Sequence, residues 1–156
     1  ANERLVEREG EREIATPFGT FRLVVFRDKI SRATHLALSR GEIRADVETL
    51  VRVHEPISLV DALDMGGSGH AYSVHGALKI LARAEAAGVV VLLHRPESAD
   101  DLAARALPAD TAPPARKFDL RNYGTGAQIL RDLGVGKMKL LATPRRCPPW
   151  MASDWK

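Results

Sequence analysis

The sequence predicts a single α+β domain with a mixed α/β arrangement, in which an N-terminal β-meander is followed by strand–helix–strand units. The length of 156 residues is that of one ordinary domain. Hydrophobic residues make up 45% of the chain and charged residues 28%, values typical of a globular protein with a buried core. Short β-branched runs occupy the first third of the chain, whereas apolar residues recur at helical spacing only in the second half. The strands of the meander are therefore expected to precede the helices.

The beginning of the chain is polar and carries interleaved acidic and basic side chains. Such a stretch offers few apolar groups to a core. We therefore expect residues 1–15 to form a solvated lead-in, or a linker that arrives from a preceding part of a longer protein.

The predicted meander has three strands. A turn signal at residues 16–19 opens a run rich in aromatic and β-branched residues at positions 20–26. A second run follows at residues 34–41. A third, at residues 49–55, alternates between apolar and polar side chains until Pro56 ends it. In a meander these strands pair in chain order.

The second half of the chain alternates between helical and strand patterns. The predicted elements are a helix over residues 74–82, a strand over 89–93, a helix over 123–133 and a strand over 137–142. Gly88 and Gly134 are expected to end the two helices. Residues 103–115 are rich in Ala and Pro, which predicts a connecting loop. This order indicates a partly parallel layer after the meander.

Charge and composition exclude several classes of protein. The net charge is +3, but the 23 Lys and Arg residues are interleaved with 20 Asp and Glu, and aromatic residues make up only 5%. Nucleic acid is therefore an unlikely partner. No apolar run is long enough for a membrane helix, so we expect no membrane partner and a cytoplasmic location by default. A single cysteine excludes a disulfide framework and a multi-cysteine zinc site within one chain.

Two groups of polar residues are candidates for chemistry. Arg52, Val53, His54 and Glu55 lie at the carboxyl end of a predicted strand, where ligands usually bind in open sheets. The second group surrounds the start of the helix at 123–133, where Asp119 could act as a base and Arg121 could hold a phosphate. An N-cap region with a surface arginine explains this second group equally well. Lys139, Arg145 and Arg146 could complete an anionic pocket or be solvated.

The histidines do not form a recognisable metal motif. His54, His70, His75 and His94 lack the i, i+4 spacing of a helical metal pair, since His70 and His75 are five residues apart. The glycine-rich loop before His75 matches neither a Walker A nor a dinucleotide-binding turn.

Four stretches of the chain resemble the GTP cyclohydrolase II family. They are TPFGTFR at residues 16–22, HLAL at 35–38, LVRVH at 50–54 and LRNYGTGAQILRDLGV at 120–135. The resemblance runs in order from about residue 14 to residue 144. It implies the first committed step of riboflavin biosynthesis, in which the guanine ring of GTP is opened with release of formate and pyrophosphate. The family uses a zinc-bound water as the nucleophile on the ring and Mg²⁺ on the phosphates.

The resemblance also implies roles for individual residues. Asp119 and Arg121 match the family's proton acceptor and nucleophile. Arg52, Val53 and His54, with Glu55 beside them, match the strand that contacts phosphate. Two further residues are predicted to help bind the nucleotide; they are Glu97, in the segment equivalent to the family's Arg-Gln-Glu-Gly-Arg, and Arg146.

The three zinc cysteines of the family are missing from this sequence. Their positions are occupied by Ile57, Ser68 and His70, of which Ile57 has no ligand atom and Ser68 is a poor ligand. We therefore expect no zinc or Mg²⁺ cofactor and no activity on GTP. The resemblance places the cyclohydrolase-like domain at residues 16–144, followed by a divergent tail at 145–156.

Three functional hypotheses follow from these residues. The first is an inactive riboflavin-pathway domain, a homodimer that serves as dimerisation or regulatory partner of an N-terminal 3,4-dihydroxy-2-butanone 4-phosphate synthase domain in a longer protein. The second is an active GTP cyclohydrolase II with an unusual metal site around His70, His54 or His75. The third is a regulator that binds GTP or another nucleotide through Arg52, Arg121 and Arg146. Cys147 as a reactive thiol is a remote fourth possibility.

Overall fold

The computed structural model describes residues 5–54, 74–94, 98–107 and 120–141, which form one six-stranded sheet and three helices. The strands are β1 (Val6–Thr16), β2 (Gly19–Asp28), β3 (Thr34–Arg40), β4 (Glu48–His54), β5 (Gly88–Leu92) and β6 (Lys137–Leu140). The helices are α1 (Val74–Arg83), α2 (Ala99–Ala106) and α3 (Leu120–Asp132). None of the helices in these parts of the chain is long and apolar enough to cross a membrane.

The sheet is mixed, as the predicted fold class requires. Its strand order is β1-β2-β3-β5-β4-β6. The pairs β1–β2, β2–β3 and β3–β5 are antiparallel, whereas β4 is parallel to both β5 and β6.

The prediction that β4 continues the meander is wrong, because β5 lies between β3 and β4. All five residues of β5 are buried, and an apolar strand of this kind is stabilised by a central position with both faces covered.

The charged stretch expected as a lead-in is instead the edge strand β1, over its residues 6–15. The side chains of residues 7–13 are exposed, as expected, but their backbone pairs with β2 along the whole strand. An edge strand tolerates such a sequence because charged side chains reach solvent and discourage aggregation. Residues 1–4 of the predicted lead-in lie outside the described residues.

A β-bulge in β1 changes the face of the sheet to which the following side chains of this strand point. The register with β2 shifts between Arg8 and Gly10, which leaves Glu9 as the extra residue. Val6 and Ile14 are eight residues apart and would face the same side of a regular strand. The bulge turns them to opposite sides, so that Val6 enters the core beneath α3 and Ile14 packs against the core beneath α1.

Helices cover both faces of the sheet and enclose two cores. The core beneath α3 contains Phe26, Val51, Val91 and Ile129 among its buried residues. The core beneath α1 contains the strand residues that alternate with these and face the other side of the sheet, together with buried residues of α1. This alternation decides which side chains of β4 share a face.

Two glycines predicted to end helices have different roles. Gly134 ends the last helix as predicted, because its φ of 94° allows the N–H groups of Gly134 and Val135 to donate to the carbonyls of Arg131 and Leu130, both at 3.0 Å. Gly88 does not end α1, which stops at Arg83. A Cβ at Gly88 would lie 2.4 Å from Leu81 Cγ, so glycine is needed there for close packing of β5 against α1.

The predicted loop at residues 103–115 begins inside a helix. Residues 103–106 are the last residues of α2, and residues 108–115 lie outside the described part of the chain. The Ser98 side chain caps α2 by accepting a hydrogen bond from the Asp101 N–H at 3.1 Å. Acidic residues in the first turn favour the same helix.

The sheet curves around α3. The Gln128 side chain on this helix accepts hydrogen bonds from the N–H groups of Leu5 at 2.6 Å and Val6 at 3.2 Å, at the start of β1. Two residues away, a Cβ at Gly126 would lie 3.7 Å from Val53 on β4. On a flat sheet β1 and β4 would be about 19 Å apart, whereas a helix with its side chains is about 10 Å wide. The strands must therefore bend towards α3.

Candidate functional site at the carboxyl edge of the sheet

Several chain segments meet at one edge of the sheet. Because β4, β5 and β6 are parallel, their carboxyl ends lie at this edge, with His54 paired to Leu92. The N-terminal half of α3 reaches the same place, since a Cβ at Gly126 would lie 3.7 Å from Val53 and 4.0 Å from Leu93. The structure therefore places the end of β4 against the helix whose first turn contains Arg121. Ligands bind preferentially at such an edge.

Arg52 and His54 lie on the α1 face of β4 and contact each other. Arg52 Nη2 lies 3.4 Å from His54 Nδ1, and Arg52 Nη1 donates to the Leu141 carbonyl at 3.3 Å. His54 is only 4% exposed. Because a guanidinium can only donate, Nδ1 is the acceptor in this pair, and the proton of a neutral His54 lies on Nε2. The arginine thus orients the imidazole and links β4 to the end of β6.

Val53 lies on the opposite face of β4. Its side chain packs against the core beneath α3, near Gly126 of that helix. Of the three predicted residues at the end of this strand, Arg52 and His54 therefore share one face, and Val53 provides helix–sheet packing.

His35 is a polar residue of this edge that sequence reasoning missed. It is 5% exposed, and its Nδ1 accepts a hydrogen bond from the His94 N–H at 3.0 Å, just beyond the end of β5. This bond holds the point at which the chain leaves β5 towards Glu97. The available signal was a histidine inside an otherwise apolar strand, within the HLAL stretch of the resemblance.

Most other predicted site residues lie outside the described part of the chain. They are Glu55, Glu97, Asp119 and Arg146, together with Ile57, Ser68 and His70 at the family's cysteine positions. The tail at residues 145–156 also lies outside it. For Arg121 the structure places the backbone, in the first turn of α3.

The described residues do not offer a zinc site. They contain no group of three His, Cys, Asp or Glu side chains placed to hold a metal ion. Arg52 lies against Nδ1 of His54, and the His75 ring lies against Phe18 with the ring centroids 5.6 Å apart. Ile57 has no ligand atom and Ser68 is a poor ligand, so the donor set at the family's cysteine positions does not fit zinc.

Comparison with known proteins identifies the family. The family model for GTP cyclohydrolase II matches residues 7–152. The chain belongs to the GTP cyclohydrolase II family. The match begins within β1 and continues beyond residue 144, so it includes charged residues and part of the tail that the sequence analysis placed outside the domain.

The similar proteins are longer than this chain. A Neisseria meningitidis serogroup B protein named 3,4-dihydroxy-2-butanone 4-phosphate synthase is 46% identical over 142 residues, covering 91% of this chain and 38% of that protein. A Pseudomonas aeruginosa protein of the same name is 40% identical over 148 residues, covering 93% and 40%. The riboflavin biosynthesis protein RibBA of Aquifex aeolicus is 35% identical over 157 residues, covering 92% and 38%. The chain thus spans about two fifths of the length of these relatives.

A solved structure has the same fold. It is RibBX from A. baumannii, described as a two-domain 3,4-dihydroxy-2-butanone 4-phosphate synthase. The TM-score is 0.58 at 35% sequence identity, and the match covers 94% of this chain and 37% of that one. The resemblance to GTP cyclohydrolase II is confirmed, and so is the mixed sheet.

Proposed function

We propose that this chain is a riboflavin-pathway domain that does not open GTP and that acts as the dimerisation or regulatory partner of a 3,4-dihydroxy-2-butanone 4-phosphate synthase domain. The observation that carries this proposal is the cysteine count. The family resemblance implies three zinc thiolates, and this chain has one cysteine, Cys147, which matches none of those positions.

Loss of the zinc ligands removes the chemistry that ring opening needs. A bound zinc lowers the pKa of its water to about 7 and supplies hydroxide at neutral pH. Without that metal the nucleophile returns towards bulk water, at a cost of several kcal/mol, or several factors of ten in rate. Asp119 and Arg121 are retained in the sequence, but neither can replace a metal hydroxide.

The contacts of His54 argue against a substitute metal site on this imidazole. Arg52 occupies the Nδ1 side of the ring, and a guanidinium 3.4 Å away opposes a cation electrostatically. A metal on Nδ1 would have to displace the arginine, and a metal on Nε2 would require the ring proton to move to Nδ1, where it would face the guanidinium. This observation favours the inactive domain over an active enzyme with an unusual metal site.

The names of the relatives support the partner role. The Neisseria and Pseudomonas proteins, at 46% and 40% identity, are named for the synthase activity alone. RibBX is likewise described as a two-domain synthase. RibBA, whose name gives no such restriction, is 35% identical. We infer that this chain corresponds to the non-synthase domain of such a protein.

Zinc stoichiometry tests the loss of the metal site. After dialysis against Zn²⁺ we expect no bound zinc per wild-type chain. The triple variant Ile57→Cys, Ser68→Cys, His70→Cys restores three thiolates at the family positions, and we expect it to bind about one zinc per chain. The matched double variant without the change at His70 should bind more weakly. Stoichiometric zinc on the wild type would contradict the proposal, and failure of the triple variant would refute the assignment of the three positions.

The partner role is tested in the protein that carries both the synthase domain and this domain. We expect removal of residues 6–156, a deletion that begins with β1, to change its oligomeric state or its synthase rate, while the isolated chain forms no product from GTP. A two-domain protein that keeps its assembly state and synthase kinetics after this deletion would contradict the partner role.

A further inference from the structure

The outer side of β1 is an open sheet edge with an ordered charge pattern. β1 is the terminal strand of the sheet, and no described strand pairs with its outer side. The sequence over residues 7–13 is Glu-Arg-Glu-Gly-Glu-Arg-Glu, and every one of these side chains is exposed. The strand contains neither proline nor lysine, but its charged side chains and its bulge disfavour pairing with most other strands, so that a partner strand must match its charges. Within the described chain, the outward backbone groups of residues 7–12 have no strand partner and can pair with another strand.

The charges of β1 match themselves in an antiparallel pair. If a second β1 is placed antiparallel with the twofold axis between Glu9 and Gly10, Glu7 lies opposite Arg12 of the other copy, and Arg8 lies opposite Glu11. A shift by one residue in either direction places at least two pairs of glutamates opposite each other. Opposite charges across a strand pair stabilise it and like charges destabilise it.

The bulge keeps these pairs on matching faces of the sheet. Arg8 and Glu11 both lie on the α3 face, since they pair with Phe26 and Val24, whose side chains lie in the core beneath α3. By the same alternation Glu7 and Arg12 lie on the α1 face. Without the bulge, residues an odd number apart would face opposite sides, and neither pair could form.

Two of the four charges have no ion-pair partner within the described chain. Glu7 makes no ion pair there, and the Arg12 guanidinium contacts only the Glu13 carbonyl, at 3.4 Å. Glu9, by contrast, is already held by Arg27 at 2.5 Å. Arg8 and Glu11 already form an ion pair within the chain at 3.1 Å, and Arg8 also contacts Asp132. The register with Glu7 opposite Arg12 therefore gives two unpaired charges a partner, whereas pairing Arg12 with Glu9 would compete with Arg27.

We propose that two copies of this chain associate through β1, antiparallel about a twofold axis between Glu9 and Gly10, to form one continuous sheet. This interface is the surface through which the dimerisation role of the proposed function would operate, and the inference rests on that role alone. The cross-strand pairs Glu7–Arg12 and Arg8–Glu11 set the register.

Charge reversal and charge exchange test this interface. By symmetry, Glu7→Arg or Arg12→Glu alone places two like-charge pairs in the dimer, and each should raise the dimer Kd by about 10-fold. The double variant Glu7→Arg, Arg12→Glu exchanges the charges and should return to within about 3-fold of the wild type. Glu85→Arg changes charge equally at an exposed site outside β1 and should leave the Kd unchanged. Sedimentation equilibrium measures the Kd, and thermal unfolding followed by circular dichroism confirms folding.

Pairs of introduced cysteines distinguish this register from a shifted one. In a Cys147→Ser background, the double variant Glu7→Cys, Arg12→Cys should form an intermolecular disulfide on mild oxidation. The same two positions within one chain are about 17 Å apart and cannot be bridged. The matched variant Glu9→Cys, Arg12→Cys should cross-link poorly.

The outcomes separate this interface from the proposed function. A wild-type dimer whose Kd is unaffected by all charge variants would overturn the β1 interface and leave dimerisation by another surface intact. A monomeric wild type would overturn the β1 interface and the dimerisation role, and leave the loss of GTP chemistry untouched. Cross-linking through position 9 in place of position 7 would overturn the register.

Discussion

Gln128→Ala removes the acceptor that ties the start of β1 to α3. In the structure Gln128 Oε1 accepts from Leu5 N–H at 2.6 Å and Val6 N–H at 3.2 Å, and Val6 is 5% exposed. An unpaired buried donor costs about 1–3 kcal/mol, and solvent can replace part of the loss at the half-buried Leu5. We therefore expect a loss of about 1–2 kcal/mol in the free energy of unfolding. For a domain of this size that corresponds to a fall in Tm of about 3–8 °C.

Gln128→Glu is the matched control, because its carboxylate keeps an acceptor in the same place. The new charge lies one helical turn from Asp132, which costs only a few tenths of a kcal/mol, at most about 0.5. Urea unfolding gives the free energies, and hydrogen exchange at Leu5 and Val6 gives the local effect, which should be faster exchange in the alanine variant only. Equal stability of wild type and Gln128→Ala, or equal destabilisation by Ala and Glu, would refute the reasoning.

Further predictions concern two glycines and one surface ion pair. Gly136→Ala should lower the free energy of unfolding by about 1–3 kcal/mol, because its Cβ would lie 2.2 Å from the Ala45 carbonyl oxygen. Gly124→Ala, where a Cβ meets no atom of the described residues within 4 Å, should leave stability unchanged or raise it by up to about 1 kcal/mol in the same urea titration. The Glu9 carboxyl group is ionised at neutral pH, and its hydrogen bond with Arg27 holds its pKa in the folded protein below the ordinary value of 4.5. The stability difference between wild type and Glu9→Gln should therefore be present at neutral pH and disappear as the pH falls through the folded pKa; a pH-independent difference would contradict this assignment.

Apolar pattern predicted the elements that the cores depend on. The runs that became β2, β3 and β5 are buried on one or both faces, so their side chains alone specify strands. The end of α3 at Gly134 was predictable because only glycine adopts its φ of 94° without strain.

Pairing and edge position were not predictable in the same way. β1 is a strand because its backbone completes the hydrogen bonds of β2, and its charged side chains carry no sign of that pairing. The position of β5 between β3 and β4 depends on long-range contacts across the sheet, which no local pattern contains. The start of α2 was readable from the cap at Ser98 and was missed because the Ala and Pro content beyond it suggested a loop.

The candidate site was predictable in its location and not in its contacts. The position of Arg52 and His54 at a strand end followed from the sequence, and parallel β4 and β5 place that end at the carboxyl edge of the sheet. The contact between the two side chains, and the bond from His94 to His35, arise from neighbouring strands brought together by folding. The family motif at residues 120–135 includes Gln128, whose bond to β1 could not be inferred from its spacing.

Formate release from GTP shows whether this domain opens the guanine ring. The purified, folded chain is incubated with GTP, Zn²⁺ and Mg²⁺, with the Arg121→Ala variant in parallel. We expect both proteins to release formate no faster than a protein-free control. Formate release by the wild type that a chelator stops and that Arg121→Ala abolishes would contradict it.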